Sequence, residues 1–174
     1  FSYEGICRYN IRTGKFKDCK NCNKCNDIKR GINMIIPYDM IDTMIALEAK
    51  CTESADKYSK VFYAVGKAVD NGQTLSNIID ANTYGMLREY MPDFDIICTT
   101  IYTTISNALQ VLTIWENHQA DNNASEEAAN AYRTLEALFK EFNDAVKQFN
   151  ALANTINTHI EIAYKTLSDM GYIS

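Results

Sequence analysis

The sequence predicts an all-α fold, an elongated antiparallel bundle of about four helices that carries an irregular, disulfide-rich N-terminal arm. Long runs place apolar residues at alternating spacings of three and four, which is helical periodicity. Only 7 Gly and 2 Pro occur among 174 residues, too few for the turns of an all-β fold. Four of the 6 Cys lie within the first 25 residues. We therefore expect a single domain over 1–174, with the arm over 1–36 and the helical bundle over 37–174.

The arm differs in charge from the rest of the chain. Residues 1–31 contain eight Lys and Arg against three acids, whereas the remaining residues carry a net charge of −10, for a total of −5. The arm is expected to lie on the acidic bundle or, alternatively, to contact an anionic partner. An acidic protein without a long basic run is not expected to bind nucleic acid.

The first helix is predicted to begin near Pro37, because Asp39 can cap its N-terminus. It is predicted to end at Asn71-Gly72, a strong turn signal. We call the row of residues on the inward face of a helix its inward stripe, and Glu48 is the charged residue on the stripe of this helix. The stripe contains Ile41, Met44, Glu48, Cys51, Ala55, Tyr58, Phe62, Val65 and Val69.

Two shorter helices are predicted next. The second spans roughly 74–90 and ends before Pro92, because the residue preceding a proline avoids the α region. The third begins at Asp93 and continues to about residue 118. Its inward stripe contains Phe94, Cys98, Ile101, Ile105, Ala108, Leu112 and Trp115.

The last helix, about 125–170, is predicted to be the longest. Ser125 can cap it, and Glu126 and Glu127 complement the dipole of its first turn. A helix of that length measures roughly 69 Å, too long for a compact globule of this chain, so we expect an elongated bundle. Its stripe contains Ala128, Tyr132, Leu135, Phe139, Phe142, Val146, Phe149, Ala153, Ile156, Ile160, Ala163, Leu167 and Met170.

The cysteines predict disulfides in an oxidising compartment. The candidates are Cys7, Cys19, Cys22, Cys25, Cys51 and Cys98. The C-x2-C-x2-C run over 19–25 could instead hold zinc, with Cys7 as the fourth ligand. An iron–sulfur site requires a further cysteine three residues later, which the run lacks. We expect no metal site.

Cys51 and Cys98 lie on the inward stripes of their predicted helices. They could be buried thiols, they could bond to each other, or each could bond to a cysteine of the arm. We favour the last pairing, because a polar arm has too little apolar surface to offset its own ordering entropy.

Other candidate residues are few. Asn123 begins an Asn-Ala-Ser sequon and is a glycosylation candidate. Phe139, Phe142 and Phe149 are expected to pack in the core, or alternatively to line a ligand cavity in which Glu48 is a polar anchor. His118 and His159 are expected to be packing or helix-end residues.

The motif search indicates a protein that is not an enzyme. No nucleophile elbow, zinc-protease motif, phosphate loop or dinucleotide fingerprint occurs. We expect no catalytic residue, no cofactor, and no membrane span, because no apolar run approaches the ~20 residues that a span requires. The leading hypothesis is a secreted or cell-surface interaction protein that binds a host or partner macromolecule. The alternatives are a carrier of a small hydrophobic ligand and, third, a metal or redox module that uses the cysteine run.

Overall fold

A computed structural model of the chain describes residues 8–10, 15–17, 37–119 and 125–174. Helix α1 spans Pro37–Asp70, helix α2 spans Ala81–Gln119 and helix α3 spans Ser125–Asp169. A short 3-10 helix, Leu75–Asn77, lies between α1 and α2. The all-α class is confirmed, since helices make up nearly all of the described residues.

Two short strands occur in the described part of the arm. Strand β1, Arg8–Asn10, pairs antiparallel with strand β2, Lys15–Lys17, and Tyr9 lies opposite Phe16. This hairpin differs from the irregular arm that the sequence predicts. Strands of three residues are too short to show an alternating apolar pattern, so no periodicity signals them.

The described residues contain three long helices, so the prediction of two separate helices on either side of Pro92 is wrong. Helix α2 continues through Pro92. Proline has no N–H for the carbonyl of Arg88, and an interior proline costs a helix roughly 3 kcal/mol. Burial outweighs this cost, because Leu87 and Phe94 on either side of Pro92 are 0% and 2% exposed.

The start of α2 also differs from the predicted one. The segment after Gly72 forms the 3-10 helix, and α2 begins only at Ala81. Asp80 is the N-cap of α2, because its carboxylate accepts hydrogen bonds from the Thr83 backbone N–H at 2.8 Å and from the Thr83 hydroxyl. A carboxylate at this position also complements the helix dipole.

The described helices divide into two compact units. The first unit contains 37–45, 103–119 and 125–142, and the second contains 46–102 and 143–174. All three helices contribute to each unit. In the first unit the rings of Tyr38 and Trp115 pack edge to face at 5.9 Å. Its buried core includes Met40, Met44, Ile105, Leu112, Leu135 and Phe142.

The second unit has an aromatic centre. The ring centroids of Tyr58 and Phe94 are 5.1 Å apart, and those of Phe94 and Phe149 are 5.0 Å apart. Aromatic pairs at these distances add to the free energy of area burial. Further apolar side chains extend this core along each helix: Val61, Val65, Leu87, Ile97, Ile101, Ile156, Ile160 and Leu167.

The predicted stripes mostly coincide with buried residues. On α3, every predicted position is buried except Tyr132, Phe139 and Met170. Met170 is 38% exposed because α3 ends at Asp169. On α1, Val69 is 41% exposed and the neighbouring Ala68 is buried in its place. The stripe drifts by one position there because 3.6 residues per turn does not match a strict three-four repeat.

Candidate functional site: a groove around Tyr63

The candidate site lies in the second unit, where two helices end. Helix α1 ends in a Schellman motif at Gly72, whose φ is +92°. The Gly72 N–H donates to the Val69 carbonyl at 3.0 Å, and the Gln73 N–H donates to the Ala68 carbonyl at 3.0 Å. Glycine is favoured here because a side chain resists positive φ. The motif fixes the direction in which the chain leaves α1.

Helix α3 ends in the same way at Gly171, whose φ is +85°. The Tyr172 N–H donates to the Leu167 carbonyl at 2.9 Å. The turn directs the following residues back toward the helices, so Ile173 is only 8% exposed. The Asn71 side-chain amide also donates to the Tyr172 hydroxyl at 3.3 Å, which links the ends of α1 and α3. This hydrogen bond joins the two glycine turns.

A groove, which we call the Tyr63 groove, lies between α1 and the residues that follow α3. Its volume is about 360 Å³. Tyr63 is 68% exposed, although its neighbour Phe62 is half-buried and stacks on Tyr84 at 5.5 Å. A large aromatic side chain with most of its surface in water is a frequent anchor of protein interfaces. The groove is lined by Ser59, Lys60, Tyr63, Ala64, Lys67, Tyr172, Ile173 and Ser174.

The charged side chains that line the groove are cationic. Lys60 and Lys67 lie on the Tyr63 side of α1, three residues before and four residues after it. The Lys60 ammonium lies 3.1 Å from Asp56, which raises the pKa of Lys60 through a hydrogen bond and through its charge. Lys60 therefore stays protonated at neutral pH. A groove with aromatic, apolar and cationic groups suits an acidic ligand that also has an apolar side chain.

A second cleft in the same unit is polar. Its volume is about 320 Å³. The buried Tyr58 hydroxyl donates to the Asn157 side-chain oxygen at 2.9 Å, and Lys57 pairs with Glu161 at 2.8 Å. Burial raises the pKa of Tyr58, and the charge of Glu161 raises it further. The polar groups of this cleft satisfy one another across α1 and α3, so we assign them a structural role.

The predicted disulfide residues divide into two groups. Cys51 is buried and Cys98 is half-buried, and the structure holds both as free thiols. Cys7, Cys19, Cys22 and Cys25 lie outside the described residues, as does Asn123. Their disulfides and glycosylation stay predictions. Among the described residues, no cluster of three or more His, Cys, Asp or Glu could hold a metal ion.

The structure does not place the predicted cavity residues in either of the two clefts. Phe142 is buried in the first unit, and Phe149 is buried in the second. Phe149 contacts the rings of Phe94 and Tyr58, whose centroids lie 5.0 and 6.5 Å away. Phe139 and Glu48 are half-buried. The ring contacts of Phe149 favour the core interpretation, and the carrier hypothesis stays a prediction.

The histidines lie at the surface of their helices. His159 on α3 is exposed, and its Nδ1 lies 3.7 Å from the Asp80 carboxylate. His118 is half-buried near the end of α2. His159 therefore adds a weak electrostatic contact to the cap of α2.

The cap of α2 predicts a specific loss of stability in acid. Hydrogen bonds from Thr83 lower the pKa of Asp80 from its usual 3.8, with a smaller contribution from His159. Because the pKa of Asp80 is lower in the folded chain than in the unfolded chain, its ionised carboxylate stabilises the fold above pH 3.8. This contribution is lost as the pH falls through the pKa that Asp80 has in the folded chain. We expect Asp80→Asn to keep much of the cap but to flatten the fall in melting temperature below pH 4. Circular dichroism melts at several pH values measure this, with Asp144→Asn, another surface carboxylate, as the control. An equal flattening in both variants would contradict it.

Sequence reasoning missed the Tyr63 groove for a clear reason. Tyr63 lies just off the predicted stripe of α1, and position alone does not separate an interface tyrosine from an ordinary surface one. Two local signals were available. Lysines flank Tyr63 at helical spacing, and Gly171 followed by Tyr-Ile is the pattern of a helix end whose chain returns to the protein.

Within the described ranges, none of the helices has the length and apolar character needed to cross a bilayer. Comparisons with family models, with curated protein sequences and with solved structures found no match for this chain. The function is therefore inferred from the chain's own residues and geometry.

Proposed function

We propose that this protein is a secreted or cell-surface, non-enzymatic interaction protein that binds a protein partner through the Tyr63 groove. The observation that carries the proposal is Tyr63, whose side chain is 68% exposed in a groove with ordered walls. Exposed aromatic side chains in preformed grooves dominate the binding energy of many interfaces. The even number of cysteines supports an extracellular location.

The partner segment that fits best is acidic and carries an apolar side chain. Lys67 supplies positive charge on the rim, and Lys60 adds a cation that is paired with Asp56. Tyr63 supplies most of the apolar surface, since Ala64 and Ile173 are buried in the wall of the groove. Lysines on the rim speed the association of negatively charged partners. An aromatic contact that becomes buried on binding slows dissociation. The preformed walls reduce the ordering cost of binding, since one wall belongs to helix α1 and the other follows the turn at Gly171.

A peptide selection tests the proposal without knowledge of the natural partner. The full chain is immobilised and exposed to a display library of random peptides, and a selected peptide is then measured by titration calorimetry. We expect selected peptides to combine acidic residues with an aromatic or aliphatic one. Replacing Tyr63 by Ser should weaken binding by at least about tenfold, because the aromatic anchor is lost.

The chain offers matched controls for this experiment. Tyr102 is 65% exposed in the same unit and does not line the groove, so Tyr102→Ser should change the affinity less than about twofold. Lys67→Glu should weaken binding in a salt-dependent way, whereas Lys147→Glu, at an exposed position on α3, should not. A selection that yields no peptide, or equal losses in Tyr63→Ser and Tyr102→Ser, would contradict the proposal.

A further inference from the structure

The two thiols of the second unit lie on facing helices. Cys51 is on α1 and is 4% exposed, and Cys98 is half-buried on α2. Both belong to the same compact unit, which contains 46–102. Either thiol alone could pack as a small apolar residue, so the distance between the two helices at these positions decides whether the thiols can bond.

Ring contacts limit the register of these two helices to a narrow range. Tyr58 on α1 contacts Phe94 on α2, and Phe62 on α1 contacts Tyr84 on α2, so the helices run antiparallel. Cys51 lies seven residues before Tyr58, and the residue seven after Phe94 on the antiparallel α2 is at position 101. Cys51 also lies eleven residues before Phe62, and the residue eleven after Tyr84 is at position 95. Cys98 lies midway between these two positions. The two contacts therefore bracket the position opposite Cys51 between 95 and 101, and Cys98 lies within this range.

The electrostatics of the thiols agree with this placement. Burial, with a smaller contribution from Cys98, raises the pKa of Cys51 to about 11. The pKa of Cys98 is also raised, by burial and then by Asp95 and Glu48. The charge that an ionised Cys98 would carry acts on Cys51, which agrees with a position of Cys98 near Cys51.

We propose that Cys51 and Cys98 form an intramolecular disulfide that joins α1 to α2. The sulfur–sulfur bond forms as the two S–H bonds break, and a small disulfide such as oxidised glutathione accepts the two electrons and two protons to give two thiols. The structure holds both residues as free thiols, so the proposed bond belongs to the oxidised form of the protein. This pairing differs from the predicted bridges to the arm, and it leaves the four arm cysteines to pair among themselves.

Peptide mapping under non-reducing conditions tests this pairing. The full chain is refolded in a glutathione redox buffer, alkylated and digested with trypsin. Cleavage after Lys50, Lys57, Arg88 and Arg133 places Cys51 in peptide 51–57 and Cys98 in peptide 89–133. We expect these two peptides to be joined, with a mass about 2 Da below their sum. Peptide 51–57 joined to a peptide of the arm would overturn the proposal, as would alkylated Cys51 and Cys98 in a chain whose arm cysteines are oxidised.

A variant provides a second readout. Cys51→Ser leaves an odd number of cysteines, so one thiol stays free for alkylation. We expect that thiol to be Cys98, in peptide 89–133, because its partner has been removed. A free thiol in peptide 1–8 or within 18–29 would instead assign Cys51 an arm partner and overturn the proposal. Cys98→Ser should give the reciprocal result, with the free thiol in peptide 51–57.

Discussion

Replacing Phe149 by Ala is expected to destabilise the protein by about 3–5 kcal/mol. Phe149 is 2% exposed, and its ring lies 5.0 Å from that of Phe94 and 6.5 Å from that of Tyr58. Truncation removes these contacts and leaves a hole that the packed neighbours cannot close. The loss is a large part of the roughly 5–15 kcal/mol that stabilises an ordinary domain.

Urea unfolding followed by circular dichroism measures this loss. Tyr63→Ala is the matched control, because it removes an aromatic ring that is 68% exposed and should cost no more than about 0.5 kcal/mol. If Phe149 lined an open ligand cavity instead, its truncation would enlarge that cavity at little cost. A loss below about 1 kcal/mol would therefore contradict the packed aromatic centre and favour the carrier hypothesis.

Replacing Pro92 by Ala is expected to stabilise the protein by roughly 1–3 kcal/mol. Pro92 is exposed in the interior of α2, so the substitution restores an N–H for the Arg88 carbonyl and removes the clash of the ring with the preceding turn. About 1 kcal/mol of this gain is offset, because proline restricts the unfolded chain and alanine does not.

The same unfolding measurement separates one continuous helix from two. If the chain were broken at Met91-Pro92, Pro92 would be the favoured first residue of a helix, and Pro92→Ala would be neutral or destabilising. Thr103→Ala is the control, since Thr103 is an exposed position elsewhere in α2 that should gain only a few tenths of a kcal/mol from better helix propensity.

Periodicity made α3 the most predictable element. Ser125 is the first residue of the helix, where the capping residues predicted its start, and the buried positions follow the predicted stripe to Leu167. Helix propensity, capping and the apolar pattern agree along its whole length, so no tertiary information was needed.

Pro92 and Tyr63 show what local reasoning lacked. The rule that ends helices before proline is local, whereas the burial of Leu87 and Phe94 that overrides it depends on the other helices. The Tyr63 groove depends on where α3 ends relative to α1 within the second unit, and no pattern in a single segment encodes that. The proposed pairing of Cys51 with Cys98 likewise depends on the register between two helices, which the ring contacts limit.

Hydrogen exchange with a selected peptide bound tests the proposed interface most directly. The full chain is compared with and without the peptide, and protection is read segment by segment by mass spectrometry. We expect increased protection over 59–67 and 172–174, the segments that line the Tyr63 groove. Protection confined to other segments, such as the 96–102 stretch of α2 that contains the exposed Ile96 and Tyr102, would contradict the assignment of the groove as the binding surface.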